Sequence, residues 1–203
     1  MSLESGSDGA LRCAWGAGDP VYEAYHDTEW GRPVVDDDRL FEKLVLEGFQ
    51  AGLAWITILR KRDRFRDVFK GFSIDAVAGM GPEDVERLLG DAGIVRHRGK
   101  IEAAISNATA AAELVAAEGS LANFVWSYMP AHRPAPQSYD DIPAITPGST
   151  ALSKELKRRG WTYVGPTTVY AFMQAMGLVN DHLEGCETRE MALARRARLR
   201  PPA

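Results

Sequence analysis

A chain of 203 residues with 45% apolar content can bury one substantial core, so one domain or two closely packed lobes are expected. The formal net charge of −4 argues against a protein that coats itself in nucleic acid. No run of about 18 apolar residues suggests a membrane span, and the Ser/Gly/acidic start is unlike a secretory leader, so a cytoplasmic protein with no membrane partner is expected.

Helical periodicity dominates the chain. Asp36, Asp37 and Asp38 supply caps for a helix with Leu40, Phe41, Leu44, Val45 and Phe49 on its apolar face; it breaks near Gly52, where a second helix starts. Pro82, followed by Glu83 and Asp84, opens a short helix that ends within residues 90–93. The clearest period covers about residues 99–118, where Ile101, Ala104, Ile105, Ala108, Ala112 and Val115 recur at helical spacing; Gly119 stops it and Ser120 caps the next helix. Five prolines in residues 130–147 predict an extended connection. Helix resumes near Thr150 with Leu152 and Leu156 inward, Gly160 breaks it, and Gly165-Pro166-Thr167-Thr168 opens an apolar helix through Tyr170, Phe172, Met173 and Met176. No two-residue alternation intervenes, so an all-α architecture follows, with a helical body over about residues 36–176.

Both cysteines lie far from that body's centre. Cys13 with His26, and His182 with Cys186, form two half-sites at opposite ends of the chain. Joined, they make a Cys2His2 set suited to tetrahedral zinc, the second pair one turn apart on a helix face. Two buried thiols and two unrelated histidines fit the spacing equally well.

Basic residues gather at 60–66, 96–100, 154–159 and 195–200, either as solvated helix faces or as a surface for phosphate. The segment Trp161-x-x-Val-Gly-Pro-Thr-Thr resembles the helix-hairpin-helix of base-excision repair glycosylases, in which Gly165, Thr167 and Thr168 would meet a DNA phosphate at a helix N-terminus; an ordinary capped helix start reads the same way. Residues 92–101, AGIVRHRGKI, resemble the stretch that precedes the hairpin in that superfamily, with Lys100 as a phosphate contact.

Two longer blocks, DPVYEAYHDTEWG at 19–31 and LEGFQAGLAW at 46–55, complete the resemblance. With RCAW at 12–15, FVWS at 124–127 and GLVNDH at 177–182, they resemble the bacterial DNA-3-methyladenine glycosylase I family over about residues 12–186. The resemblance implies a helix-hairpin-helix glycosylase fold with a structural zinc at Cys13, His26, His182 and Cys186, joining a lobe of residues 12–35 and 177–186 to the helical body. It also implies a monomer acting on double-stranded DNA that contains 3-methyladenine, with the free base as product. Residues 1–11 and the basic end 187–203 lie outside the match and are expected to be flexible.

The residue types suit that chemistry. A base methylated at N3 is cationic and leaves readily, so the protein must chiefly extract and recognise it. Tyr25 and Trp55, with Trp15, Tyr22 and Trp30, are candidates for an aromatic pocket, and a cation gains about 0.5–2 kcal/mol per aromatic face. Core packing is the alternative for each ring. Glu47 lies in an apolar stretch where an unpaired carboxylate is costly, and is the candidate catalytic group accepting from the base's exocyclic amine. Leu53, after Gly52, is a candidate wedge for the gap left by a flipped base, or an ordinary core leucine. The superfamily's water-activating aspartate has no clear counterpart, since Asp181 stands beside His182, so a monofunctional hydrolase without lysine Schiff-base chemistry is expected. The alternatives are a zinc-stabilised, catalytically silent DNA-binding module, for which Glu47 and the aromatic set have no use, and a zinc hydrolase, which four protein ligands would leave without an open position.

Overall fold

The computed structural model describes residues 3–6, 8–131 and 133–199. Among these residues a two-stranded antiparallel hairpin, β1 (Leu3–Ser5) and β2 (Leu11–Cys13), precedes ten α-helices: α1 (Pro20–Thr28), α2 (Asp37–Gln50), α3 (Trp55–Val68), α4 (Ile74–Ala78), α5 (Pro82–Leu89), α6 (Arg98–Glu118), α7 (Leu121–Trp126), α8 (Pro147–Arg158), α9 (Pro166–Ala175) and α10 (Glu187–Ala197). No helix among the described residues is long and apolar enough to cross a membrane.

Helix α2 is the axis of the body. Every residue from Leu40 to Phe49 is buried, and α3, α6, α7 and α9 pack around it. Its acidic start does more than cap it. Asp36 accepts from the Arg39 amide at 2.9 Å, while Asp37 takes the Leu121 and Ala122 amides that open α7, and Asp38 takes the Ile74 amide that opens α4. Three adjacent carboxylates thus fix three helix N-termini, each using donors a helix cannot satisfy internally.

The hairpin between α8 and α9 is held from behind. Asn107 of α6 donates to the Thr162 carbonyl at 3.0 Å and accepts its amide at 2.9 Å, and Ser153 donates to the Val164 carbonyl at 2.6 Å. Trp161, almost wholly buried, plugs the space beneath. Helix α8 starts at Pro147, three residues before the expected Thr150, because Thr146 caps it through the Ser149 amide. Among its described residues, the connection between α7 and α8 carries a short 3-10 turn at Tyr139–Asp141 and no other helix.

Both chain ends carry regular structure, at Leu3–Ser5 and at Glu187–Ala197. Residues 3–5 pair with 11–13 around Gly9, whose φ of +81° suits glycine. The basic end forms α10, with Thr188, Arg189 and Ala192 buried. Arg189 donates to the carbonyls of Asn180 and His182 at 3.1 and 2.6 Å, and Glu187 accepts the Leu11 amide at 3.0 Å. These bonds weld the two ends into one lobe. Residues 1, 2, 7, 132 and 200–203 lie outside the described residues.

Candidate active site

The four half-site residues converge. Cys13, His26, His182 and Cys186 are all buried, with their ligand atoms within 4.8 Å of one another. The His182 Nδ1 to His26 Nε2 distance is 3.2 Å; Cys186 Sγ lies 3.6 Å from each of those nitrogens, and Cys13 Sγ lies 3.9 Å from His182 Nδ1. A tetrahedral ion with bonds of about 2.0 Å to nitrogen and 2.3 Å to sulfur sets those edges at about 3.3 and 3.6 Å, so the donor set fits a metal. The outer partners fit as well. His26 Nδ1 meets Asp27 at 2.8 Å, His182 Nε2 meets the Trp30 carbonyl at 3.1 Å, and the Leu183 amide donates to Cys13 Sγ at 3.4 Å. The expectation of a helical His182/Cys186 pair is corrected: both sit on the turn before α10, where Gly185 at φ +84° diverts the chain and Cys186 is the N-cap.

One wall of this cluster is also a wall of a cavity of about 640 Å³. Trp30 supplies the link: its ring lies 4.6 Å from the His182 ring at 82° and 5.0 Å from Trp15 at 78°, and it faces the cavity. Trp15, Tyr22, Tyr25 and Trp55 line it as well, with Tyr25 and Trp55 5.5 Å apart, and Tyr139 and Tyr170 add two further rings. Each comes from a different local cause. Asp19 caps α1 and Pro20 sets its first turn, presenting Tyr22 and Tyr25 on one face; Gly52, at φ +83°, turns the chain from α2 into α3 so that Trp55 opens that helix at the rim.

Glu47, from the buried α2, also lines the cavity, and it is not alone there. Lys43, one turn earlier, places Nζ 2.7 Å from Glu47 Oε1, 2.8 Å from the Tyr25 hydroxyl, and 3.4 Å from the Trp55 ring centre. Burial foremost, then the Glu47 charge, hold the Tyr25 phenol well above its ordinary range, so it stays protonated. Burial lowers the Lys43 ammonium, and Glu47 partly restores it. The opposite wall carries Thr167, Tyr170 and Gln174 of α9.

Seven of the expected residues therefore share one cavity: Trp15, Tyr22, Tyr25, Trp30, Glu47, Trp55 and Thr167. Gly165 and Thr168 stand at the same N-terminus of α9 without lining it. Leu53 is 41% exposed on the turn beside the rim, not a core leucine. Lys100 corrects its expectation. Its Nζ is turned inward onto the Phe49 and Ala51 carbonyls at 2.9 and 2.6 Å, where it closes the C-terminus of α2; an ammonium so committed is not a phosphate contact. Sequence reasoning missed Lys43, Tyr170 and Gln174. Only Lys43 carried a signal, its placement four residues before Glu47 on one helix face.

Comparison with known proteins agrees with this geometry. Residues 15–190 match the family model described as methyladenine glycosylase. The chain belongs to the methyladenine glycosylase family. A DNA-3-methyladenine glycosylase 1 of Escherichia coli (strain K12) is 52% identical over 178 residues, covering 86% of this chain and 95% of the relative. A DNA-3-methyladenine glycosylase of Haemophilus influenzae is 44% identical, covering 86% and 96%. A Staphylococcus aureus 3-methyladenine DNA glycosylase I, whose structure addresses 3-methyladenine recognition, superposes with a TM-score of 0.84 at 38% identity, over 88% of this chain and 96% of that one. In this glycosylase-family chain the match takes in the whole cavity and the metal-ligand set except Cys13.

Proposed function

We propose that this protein is a monofunctional DNA glycosylase that takes 3-methyladenine out of alkylated duplex DNA and hydrolyses its glycosidic bond. The observation that carries the reading is a single cavity lined by seven aromatic side chains, Trp15, Tyr22, Tyr25, Trp30 and Trp55 with Tyr139 and Tyr170, and a buried carboxylate, Glu47, among them. That set suits a planar cation held by stacking, with the carboxylate accepting from its exocyclic amine. Because the alkylated base is already a good leaving group, binding the sugar cation together with the departing base does most of the work. Among the described residues no aspartate lines the cavity.

The N-terminus of α9, at Gly165, Thr167 and Thr168, is the proposed phosphate contact, and Leu53 the proposed wedge. Zinc is the metal we assign to Cys13, His26, His182 and Cys186, since two thiolates and two imidazoles are its characteristic ligands. Its contribution is structural: it fixes the turn under Trp30 and hence the aromatic wall. The test is to incubate the purified protein with DNA treated with N-methyl-N-nitrosourea and identify the released bases. Release of 3-methyladenine, with no adduct trapped by borohydride, is expected; no released base, or strand cleavage through a trapped lysine, would overturn the reading.

A further inference from the structure

The cavity holds one charged group that the proposed reaction does not require. Lys43 is 6% exposed, and its ammonium already occupies the Glu47 carboxylate and the Trp55 face. Those are the two features that would reward a cationic purine. The Tyr25 hydroxyl accepts a further bond from the same nitrogen, so the lysine is held in place by three partners that all face the cavity.

We infer that Lys43 is a specificity-determining residue: by neutralising Glu47 inside the cavity, it lowers the preference of the site for a cationic purine over a neutral one. The inference rests on the glycosylase reading given above. Two like charges a few ångströms apart in a poorly solvated site repel strongly, so an incoming cation meets Lys43 where a neutral base does not. The other charges near the lysine are paired among themselves. Glu29, just after α1, holds Arg62 of α3 with both oxygens at 2.7 Å; Glu42 of α2 holds Arg66 of α3 at 2.8 Å, with Arg39 of α2 at 3.6 Å. The α9 residues on the cavity, Thr167, Tyr170, Ala171 and Gln174, carry no charge. The Lys43–Glu47 pair is therefore the charge balance that the bound base changes.

The same geometry gives a pH dependence. Burial works to discharge Lys43 while Glu47 opposes it, and loss of that proton at raised pH leaves Glu47 as the net charge in the cavity. Preference for a cation then rises with pH.

The experiment compares binding of two probes, the 3,9-dimethyladeninium cation and neutral 9-methyladenine, by the wild type and by Lys43→Met, which keeps the length and removes the charge. The ratio of the neutral to the cationic Kd is expected to rise at least about tenfold in Lys43→Met at neutral pH. The wild-type ratio is expected to climb with pH while the variant's stays flat, a readout that a purely structural lysine would not give and that needs no variant to be stable. A ratio that is unchanged or lower in Lys43→Met, or a wild-type ratio that ignores pH, would overturn the inference while release of 3-methyladenine from alkylated DNA continued. Failure of both proteins to bind either purine or release the base would instead bring down the glycosylase reading, and the inference with it.

Discussion

The Asp181 carboxylate accepts the Tyr170 hydroxyl at 2.5 Å, from a position just behind the cavity wall. The same carboxylate takes Gln174 at 3.0 Å and Arg133 at 2.6 Å, so one buried acid orients two of the side chains that face the cavity. Asp181→Asn replaces an ionised acceptor of three donors by an amide. Loss of about 2–4 kcal/mol of stability is expected, with weaker base binding. Urea unfolding and 3-methyladenine titration would measure the two effects; an unperturbed variant would show that the network is dispensable.

Glu47→Gln replaces the charged acceptor for the exocyclic amine by a neutral amide and leaves the Lys43 ammonium uncompensated beside Trp55. Excision is expected to fall by about tenfold to a hundredfold, equivalent to roughly 1.4–2.8 kcal/mol. Adding Lys43→Met to that variant should return part of the loss, because the uncompensated charge goes with it. Single-turnover release of 3-methyladenine reads both steps, and a double variant worse than Glu47→Gln alone would contradict the coupling.

Lys100→Met tests a change of role. As a cap on the Phe49 and Ala51 carbonyls, the lysine is expected to contribute about 1–3 kcal/mol to stability. The salt dependence of DNA binding should not move. A phosphate contact would instead lower the slope of log affinity against log salt by about 0.9 on removal.

The metal centre predicts one zinc per chain by elemental analysis. Chelation, or Cys186→Ala, should lower the melting temperature sharply, since closed sites of this kind couple on the order of 10 kcal/mol of binding to folding. Base affinity should fall with it, through Trp30. Full stability in metal-free protein would remove the ion from the fold.

Acid stability follows from Glu29. Burial opposes its charge, but the two-pronged Arg62 contact more than offsets that and leaves the carboxyl below its ordinary 4.5. A lowered folded value means the contribution is complete above that ordinary value and is lost as pH falls through the folded one. Unfolding free energy of Glu29→Gln should therefore decline less steeply than the wild type below about pH 4.5. Equal slopes would mean the pair contributes nothing to acid denaturation.

What could be read from the chain was local. The period of α6 and the Ser120 cap were visible because a helix carries its own pattern and its own stop residues. Asp37 and Asp38 looked like companions of the Asp36 cap, because their true donors belong to helices that only the tertiary fold brings near. Lys100 looked like a phosphate contact for a similar reason: nothing in its neighbours shows that the end of α2 lies beneath it. Helix α10, rich in arginine, read as a tail until the Asn180 and His182 carbonyls supplied partners for Arg189. The aromatic cavity was reachable by resemblance, whereas Lys43 required seeing that α2 has no solvent-facing side at that turn.

Cys13 and His182 meet across a sequence separation of 169 residues. On the ribosome, the helical body can assemble while the partner of Cys13 is still in the exit tunnel, but the wall carried by Trp30 cannot be buttressed until the last segment emerges. Closing so long a loop is a late event, delayed by the entropy of bringing distant points together. A nascent chain would thus be unable to grip a base before residues 182–186 have emerged, and a product truncated ahead of that turn would be released without a working site.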